Sequence, residues 1–219
     1  MNYTIFLSPS RQKMNVGNGD YGTESRRMNE LGNIVEAELE RHGIYVEREG
    51  NEIETEERVK LANNMKANAY VSLHSNYTRE CDESQGVGTE IYVKGDDDES
   101  MRLGVEVYTQ MRKVPGFIER GVRKNRSFKE IISPKMPSIM IEVDFHDSYE
   151  RACWIVENMR EIAVAITKGI LKYFDMEYKE KETRKYYRIQ LGAFTNKERA
   201  EQMARALQNK GYPTVIKYY

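Results

Sequence analysis

Residues 55–76 read Thr-Glu-Glu-Arg-Val-Lys-Leu-Ala-Asn-Asn-Met-Lys-Ala-Asn-Ala-Tyr-Val-Ser-Leu-His-Ser-Asn, a helical pattern followed at once by an apolar run. A helix is predicted to begin at Thr55, because apolar residues recur there at helical spacing, at Val59, Leu61, Ala62 and Met65. The run from Ala69 to His74 is typical of a buried strand that ends in polar residues. A helix leading into a buried strand is the repeating unit of an α/β sheet.

The same alternation extends in both directions along the chain. Further strands are predicted at residues 3–7, 44–47, 88–93 and 137–143, and the 88–93 strand is a candidate for an antiparallel edge strand. Further helices are predicted at residues 100–114 and 151–174, and another is capped by Thr23 and ends at His42-Gly43. These elements predict a twisted, mostly parallel sheet flanked by helices, in a domain spanning residues 1–174.

Composition and charge exclude several classes of partner. The 219 residues carry 34 Lys and Arg against 35 Asp and Glu, so no basic excess favours nucleic acid. The sequence has no apolar run of membrane length, and its first strand leads directly into polar Ser8-Pro9-Ser10-Arg11 without the pattern of a signal peptide. We therefore expect synthesis in the cytoplasm and no membrane partner.

A smaller unit is predicted at the C-terminus. Residues 175–185 are charged and poor in core residues, as in a linker, and residues 186–219 read as a small βαβ unit. Its elements are predicted at 186–191, 197–210 and 214–218. A unit of this size is smaller than most domains that fold alone, so we expect it to pack on the first domain or to form a homodimer with a second copy.

Polar residues cluster in the sequence where the strands of the first domain end. In open α/β sheets, sites form beyond the carboxyl ends of the strands, where Gln12, His74 and Glu142 are expected. Glu24 joins them, because the first turn of the following helix lies at the same edge. Imidazole nitrogen and carboxylate oxygen are ligands that Zn²⁺ prefers, so this composition indicates a zinc hydrolase.

The order and spacing of several motifs make the first 174 residues resemble the zinc-dependent N-acetylmuramoyl-L-alanine amidases. Glu24 stands where that family has a helix-opening zinc glutamate. The other matches are Arg58 with Ala62-Asn63, Ser72-Leu73-His74-Ser75-Asn76, Gly88-Thr89-Glu90, Arg120-Gly121-Val122, and the proline-led strand Pro137-Ser138-Ile139-Met140-Ile141-Glu142. The resemblance implies hydrolysis of bacterial peptidoglycan at the amide between N-acetylmuramic acid and L-alanine.

Roles for individual residues also follow from that resemblance. Glu142 would be the catalytic general base, and Glu24 and His74 would bind Zn²⁺. Asn76 and Arg120, in two of the matching motifs, are candidates for substrate binding.

The first zinc ligand departs from the family pattern. Family members usually read D-P-G-H-G-G, whereas this chain places Arg11 at the histidine, and arginine has no lone pair to offer a metal. Gln12, one residue later, has a carbonyl oxygen, and His146 follows Glu142 by four residues. Our hypothesis is a zinc site of Glu24, His74 and either His146 or Gln12.

Residues 187–194 read Tyr-Arg-Ile-Gln-Leu-Gly-Ala-Phe and resemble the SPOR domain, a family that binds glycan strands stripped of their peptides. Such strands are the product that an amidase leaves. Three functions stay open at this point: an amidase, most simply a phage endolysin or else an enzyme of a spore former; a degenerate module that only binds peptidoglycan; and a zinc peptidase that cuts within the stem peptide.

Overall fold

A six-stranded sheet forms the centre of the first part of the chain. The computed structural model describes residues 3–48, 53–78, 86–180, 192–212, 214 and 216. The strands in chain order are β1 (Thr4–Pro9), β2 (Tyr45–Glu47), β3 (Ala69–Asn76), β4 (Thr89–Lys94), β5 (Glu119–Asn125) and β6 (Ser138–Phe145). Their spatial order is β2-β1-β3-β6-β4-β5, and every neighbouring pair is parallel except β4 with β6. The predicted α/β fold with a mostly parallel sheet is confirmed.

Helices flank this sheet. They are α1 (Glu24–Arg41), α2 (Thr55–Met65), α3 (Asp98–Met111), α4 (Lys129–Ile132), α5 (Tyr149–Glu157) and α6 (Met159–Tyr173), with a 3₁₀ turn at Gly19–Tyr21. Helix α1 begins where the sequence indicates, because the Thr23 side chain accepts a hydrogen bond from the Arg26 backbone N–H. No helix among the described residues is long and apolar enough to cross a membrane.

Side chains along β1 and β3 point to the two faces of the sheet in turn, so their apolar residues belong to two separate cores. Leu7 and Leu73 belong to the large core, whereas Phe6 and Tyr70 belong to a smaller one that includes residues of α2. Side chains of one strand face opposite sides in turn, so His74 continues the row of Tyr70 toward the carboxyl end of β3. The candidate site therefore lies on the sheet face that carries the smaller core.

Two details differ from the predicted elements. The strand predicted at 88–93 is antiparallel to β6, but it does not form the edge, because β5 pairs along its other side. The helix predicted at 151–174 is two helices, α5 and α6, which meet at Asn158.

The contacts divide the chain into the units Met1–Lys179 and Glu180–Tyr219. Part of the predicted linker packs on the first unit: the Tyr178 hydroxyl donates to Glu38 at 3.1 Å, and the Lys179 N–H donates to His42 Nε2 at 2.9 Å. In the second unit the structure has helix α7 (Lys197–Gln208), capped by the Asn196 side chain. The strand predicted at 186–191 lies outside the described residues, as does most of the one at 214–218, so the βαβ arrangement stays a prediction.

Candidate active site

His74, near the carboxyl end of β3, lies between two carboxylates from different helices. Its Nδ1 is 3.0 Å from Glu24 Oε1, in the first turn of α1, and its Nε2 is 3.0 Å from Glu130 Oε2, in α4. Both glutamates are buried. We call these three side chains the Glu24–His74–Glu130 bridge.

The protonation of the bridge follows from these contacts. Burial lowers the pKa of His74, but the hydrogen bonds to Glu130 and Glu24 outweigh it and hold the pKa well above its ordinary value. Burial raises the pKa of both glutamates, and their hydrogen bonds to His74 more than reverse this, so both values lie below the usual range. All three pKa shifts therefore favour an imidazolium between two ionised carboxylates.

Glu130 is the site residue that sequence reasoning missed. Its Oε1 accepts hydrogen bonds from the Ser8 hydroxyl at 2.6 Å and the Tyr70 hydroxyl at 3.1 Å. It lies in a four-residue helix, where no periodic pattern distinguishes a buried carboxylate from an exposed one. The only signal is that Glu130 directly precedes the apolar pair Ile131-Ile132.

Glu142 lies beside the bridge, since it is the register partner of His74 in the pairing of β3 with β6. Its Oε2 is shielded from solvent and makes no hydrogen bond with any described residue. Burial, together with the negative charges of Glu24, Glu90 and Glu130, raises its pKa to about 7, although His74 acts in the opposite direction. Glu142 can therefore both accept and release a proton near neutral pH.

On the other side of Glu142 lies a second polar cluster, centred on Glu90 of β4. The Asn76 side chain donates to Glu90 Oε1 at 3.0 Å. The Nε atoms of Arg120 and Arg123 lie 3.3 and 3.2 Å from Glu90 Oε2. Asn76 and Arg120, the two residues predicted to bind substrate, thus lie in one cluster next to Glu142, because Glu90 and Glu142 are register partners.

His146 and Gln12 are not part of the bridge. His146 is buried just beyond β6, where its Nδ1 is 2.8 Å from the Ser75 hydroxyl and its ring stacks on Tyr21. Burial lowers the pKa of His146. Gln12 is exposed, and its Oε1 accepts a hydrogen bond of 3.3 Å from Asn15.

Of the predicted zinc ligands, Glu24 and His74 come together, and no described hydrogen bond joins either of them to His146 or to Gln12. Within the described ranges, no group of three or more His, Cys, Asp or Glu side chains is arranged to hold a metal ion. The bridge itself does not qualify, because its two carboxylates lie at opposite nitrogens of one ring. Arg11, at the position of the missing histidine, instead pairs with Glu54 at 2.8 Å. The residues present do not fit a zinc ion.

An open cavity of about 550 Å³ adjoins the bridge. Its lining includes Glu130 and Met140, together with the residues at the start of α2 and Phe128-Lys129. A cavity of this volume can hold part of a polymeric substrate next to the bridge.

Comparison with known proteins identifies the family. The sequence model of the family described as N-acetylmuramoyl-L-alanine amidase matches residues 5–172. The chain belongs to this family. A model of the SPOR domain matches residues 183–219. The resemblance inferred from the motifs is thus confirmed for both parts of the chain.

Individual amidases are similar to the chain over most of its length. N-acetylmuramoyl-L-alanine amidase CwlM of Bacillus licheniformis is 22% identical over 223 residues, which cover 98% of this chain and 84% of that protein. The structure of amidase AmiC2 of Nostoc punctiforme is 27% identical, with a TM-score of 0.70, and the match covers 79% of this chain and 97% of that one. The catalytic domain of CwlV from Paenibacillus polymyxa, 24% identical with a TM-score of 0.70 over 81% of this chain and all of that one, shares the fold.

Proposed function

We propose that this amidase-family chain hydrolyses the amide between N-acetylmuramic acid and L-alanine in peptidoglycan, with Glu142 as the general base. The observation that carries the proposal is the Glu142 carboxylate, which has a buried oxygen without a hydrogen bond among the described residues and a pKa of about 7. A base with a pKa near the working pH is the most effective kind. Family membership and the amidases among the relatives support the choice of bond.

In this proposal Glu142 takes a proton from the attacking water and returns it to the leaving amine of L-alanine. Such a role contributes about 10²–10⁴-fold to the rate. Asn76 and Arg120, which both contact Glu90 next to the base, are the proposed contacts for polar groups of the substrate. Zinc activation of the water does not fit the donor set described above, and no step of the proposal passes through a metal.

The test compares wild type with Glu142→Gln on purified peptidoglycan. We expect new N-terminal L-alanine, and fragments whose masses match cleavage at the lactyl amide, from wild type only. Glu57→Gln, an exposed glutamate in α2, is the matched control and should keep wild-type activity. Fragments cut within the stem peptide would replace the amidase proposal with the peptidase alternative.

A second candidate function is peptidoglycan binding without hydrolysis. Two observations favour it. Arg11 stands where the family has a zinc-binding histidine and pairs with Glu54, and both nitrogens of His74 contact carboxylates. Wild type that sediments with purified walls but releases no fragments would support this candidate over the amidase.

The C-terminal unit has a proposed role of its own. The SPOR match supports binding of glycan strands by residues 183–219.

We also propose that the chain acts on the wall after release from the cytoplasm, most simply as a phage endolysin. We further propose that the C-terminal unit can pair two copies of the chain. Lysis of intact cells by added protein tests the first point, and sedimentation velocity of the full chain tests the second.

A further inference from the structure

We infer that the Glu24–His74–Glu130 bridge replaces the metal in this chain, and that the site is complete without zinc and does not take it up. The bridge would hold the site together whether or not the chain hydrolyses peptidoglycan.

Both ring nitrogens of His74 are already in use. Imidazole binds a metal through a nitrogen lone pair, whereas an ionised carboxylate can only accept hydrogen bonds. Each His74 nitrogen lies 3.0 Å from a carboxylate oxygen, of Glu24 on one side and of Glu130 on the other. Both nitrogens must therefore donate, and no lone pair is left for a metal.

Glu130 is also fixed in its position. Besides His74, it accepts hydrogen bonds from the hydroxyls of Ser8 and Tyr70, all in a buried environment. Turning Glu130 away to free His74 Nε2 would leave these buried donors unpaired, which is unfavourable. The bridge is therefore a built arrangement and not a loose contact that a metal would displace.

The second oxygen of Glu24 and the positive charges beside the site also count against a metal. Glu24 Oε2 accepts a hydrogen bond of 2.8 Å from Asn15. Two guanidinium groups stand near the end of β1: that of Arg11, paired with Glu54, and that of the buried Arg58, which donates to the Pro9 carbonyl at 2.7 Å. Positive charges near the site oppose the entry of a divalent cation.

The experiment measures zinc uptake by the full chain, purified without chelator and then equilibrated with zinc. The metal content after gel filtration and the shift of the thermal unfolding midpoint with zinc are recorded. We expect no stoichiometric zinc and no shift for wild type. Stoichiometric zinc that is lost in His74→Ala and in Glu24→Gln, with circular dichroism unchanged, would overturn the inference.

His42→Ala is the matched control, since His42 lies at the far end of α1 and contacts Tyr178. Zinc that disappears in His42→Ala but persists in His74→Ala is bound elsewhere and supports the inference. Hydrolysis of peptidoglycan is measured on the same samples. If wild type hydrolyses peptidoglycan and holds no zinc, both the amidase function and the metal-free bridge are supported. If wild type neither hydrolyses peptidoglycan nor holds zinc, the amidase function is refuted and the metal-free bridge still stands.

Discussion

The raised pKa of Glu142 predicts that this residue destabilises the fold above neutral pH. Its pKa lies at about 7 in the folded chain, against an ordinary value of 4.5. Below both values the side chain is protonated in the folded and the unfolded states and has no effect. As the pH rises, the unfolded chain loses the proton first, so folding becomes less favourable until the pH passes about 7. The full penalty is about 3 kcal/mol.

Glu142→Gln removes this penalty while keeping the shape of the side chain. Urea unfolding can be followed by the fluorescence of Trp154, the one tryptophan of the chain, which is buried in α5 of the same unit. At about pH 9 the variant should be more stable than wild type by about 3 kcal/mol, and the difference should nearly vanish at about pH 4. Glu57→Gln, which removes an exposed carboxyl from α2, is measured beside it as the control for the loss of one charge.

A stability difference between Glu142→Gln and wild type that is equal at both pH values would refute this reasoning. It would mean that the Glu142 carboxyl titrates in the folded chain as it does in water. The proposed base would then lose the property that suits it to proton transfer near neutral pH.

Three further substitutions test the packing around the site. Arg151→Met leaves the buried Asp144 without its ion pair of 2.6 Å and should lower the free energy of unfolding by about 3–5 kcal/mol, measured by urea unfolding; an unchanged midpoint would contradict it. Gly169→Ala places a Cβ 2.3 Å from the Val107 Cα, so α3 and α6 must separate at a cost of about 1–3 kcal/mol, visible as a lower thermal midpoint. Tyr70→Phe removes one hydrogen bond to the bridge and should cost about 1 kcal/mol without changing the circular dichroism spectrum.

The regular elements with a buried face were predictable from sequence, and those without one were not. Strand β3 was predictable because its apolar run is continuous, and α1 because Thr23 and the apolar spacing mark its beginning and its buried face. Strand β5 was missed, because Glu119–Asn125 is charged and mostly half-exposed and has no alternating pattern. The break at Asn158 was missed, because the apolar pattern continues across it from α5 into α6.

At the site, sequence reasoning named the residues that the strand ends bring together but not their final partners. Glu24 and His74 meet because the first turn of α1 and the end of β3 share one edge of the sheet. His146 is one of the two candidates for the third ligand, but its backbone N–H bonds to the Asn76 carbonyl at 3.0 Å, and its ring contacts Tyr21 and Ser75. Such choices between partners depend on tertiary packing, which spacing along the chain does not contain.

Charge balance connects the bridge with the behaviour of Glu142. Glu24 and Glu130 contribute two negative charges, which His74 and the buried guanidinium of Arg58 offset, so the cluster is balanced while Glu142 is protonated. Ionising Glu142 adds a charge without a partner, which is one reason its pKa is raised. A zinc ion would reverse this by stabilising the Glu142 carboxylate, and would thereby abolish the stability gain of Glu142→Gln above neutral pH. The pH dependence of that variant and the zinc content of wild type must therefore agree if the bridge stands in place of the metal.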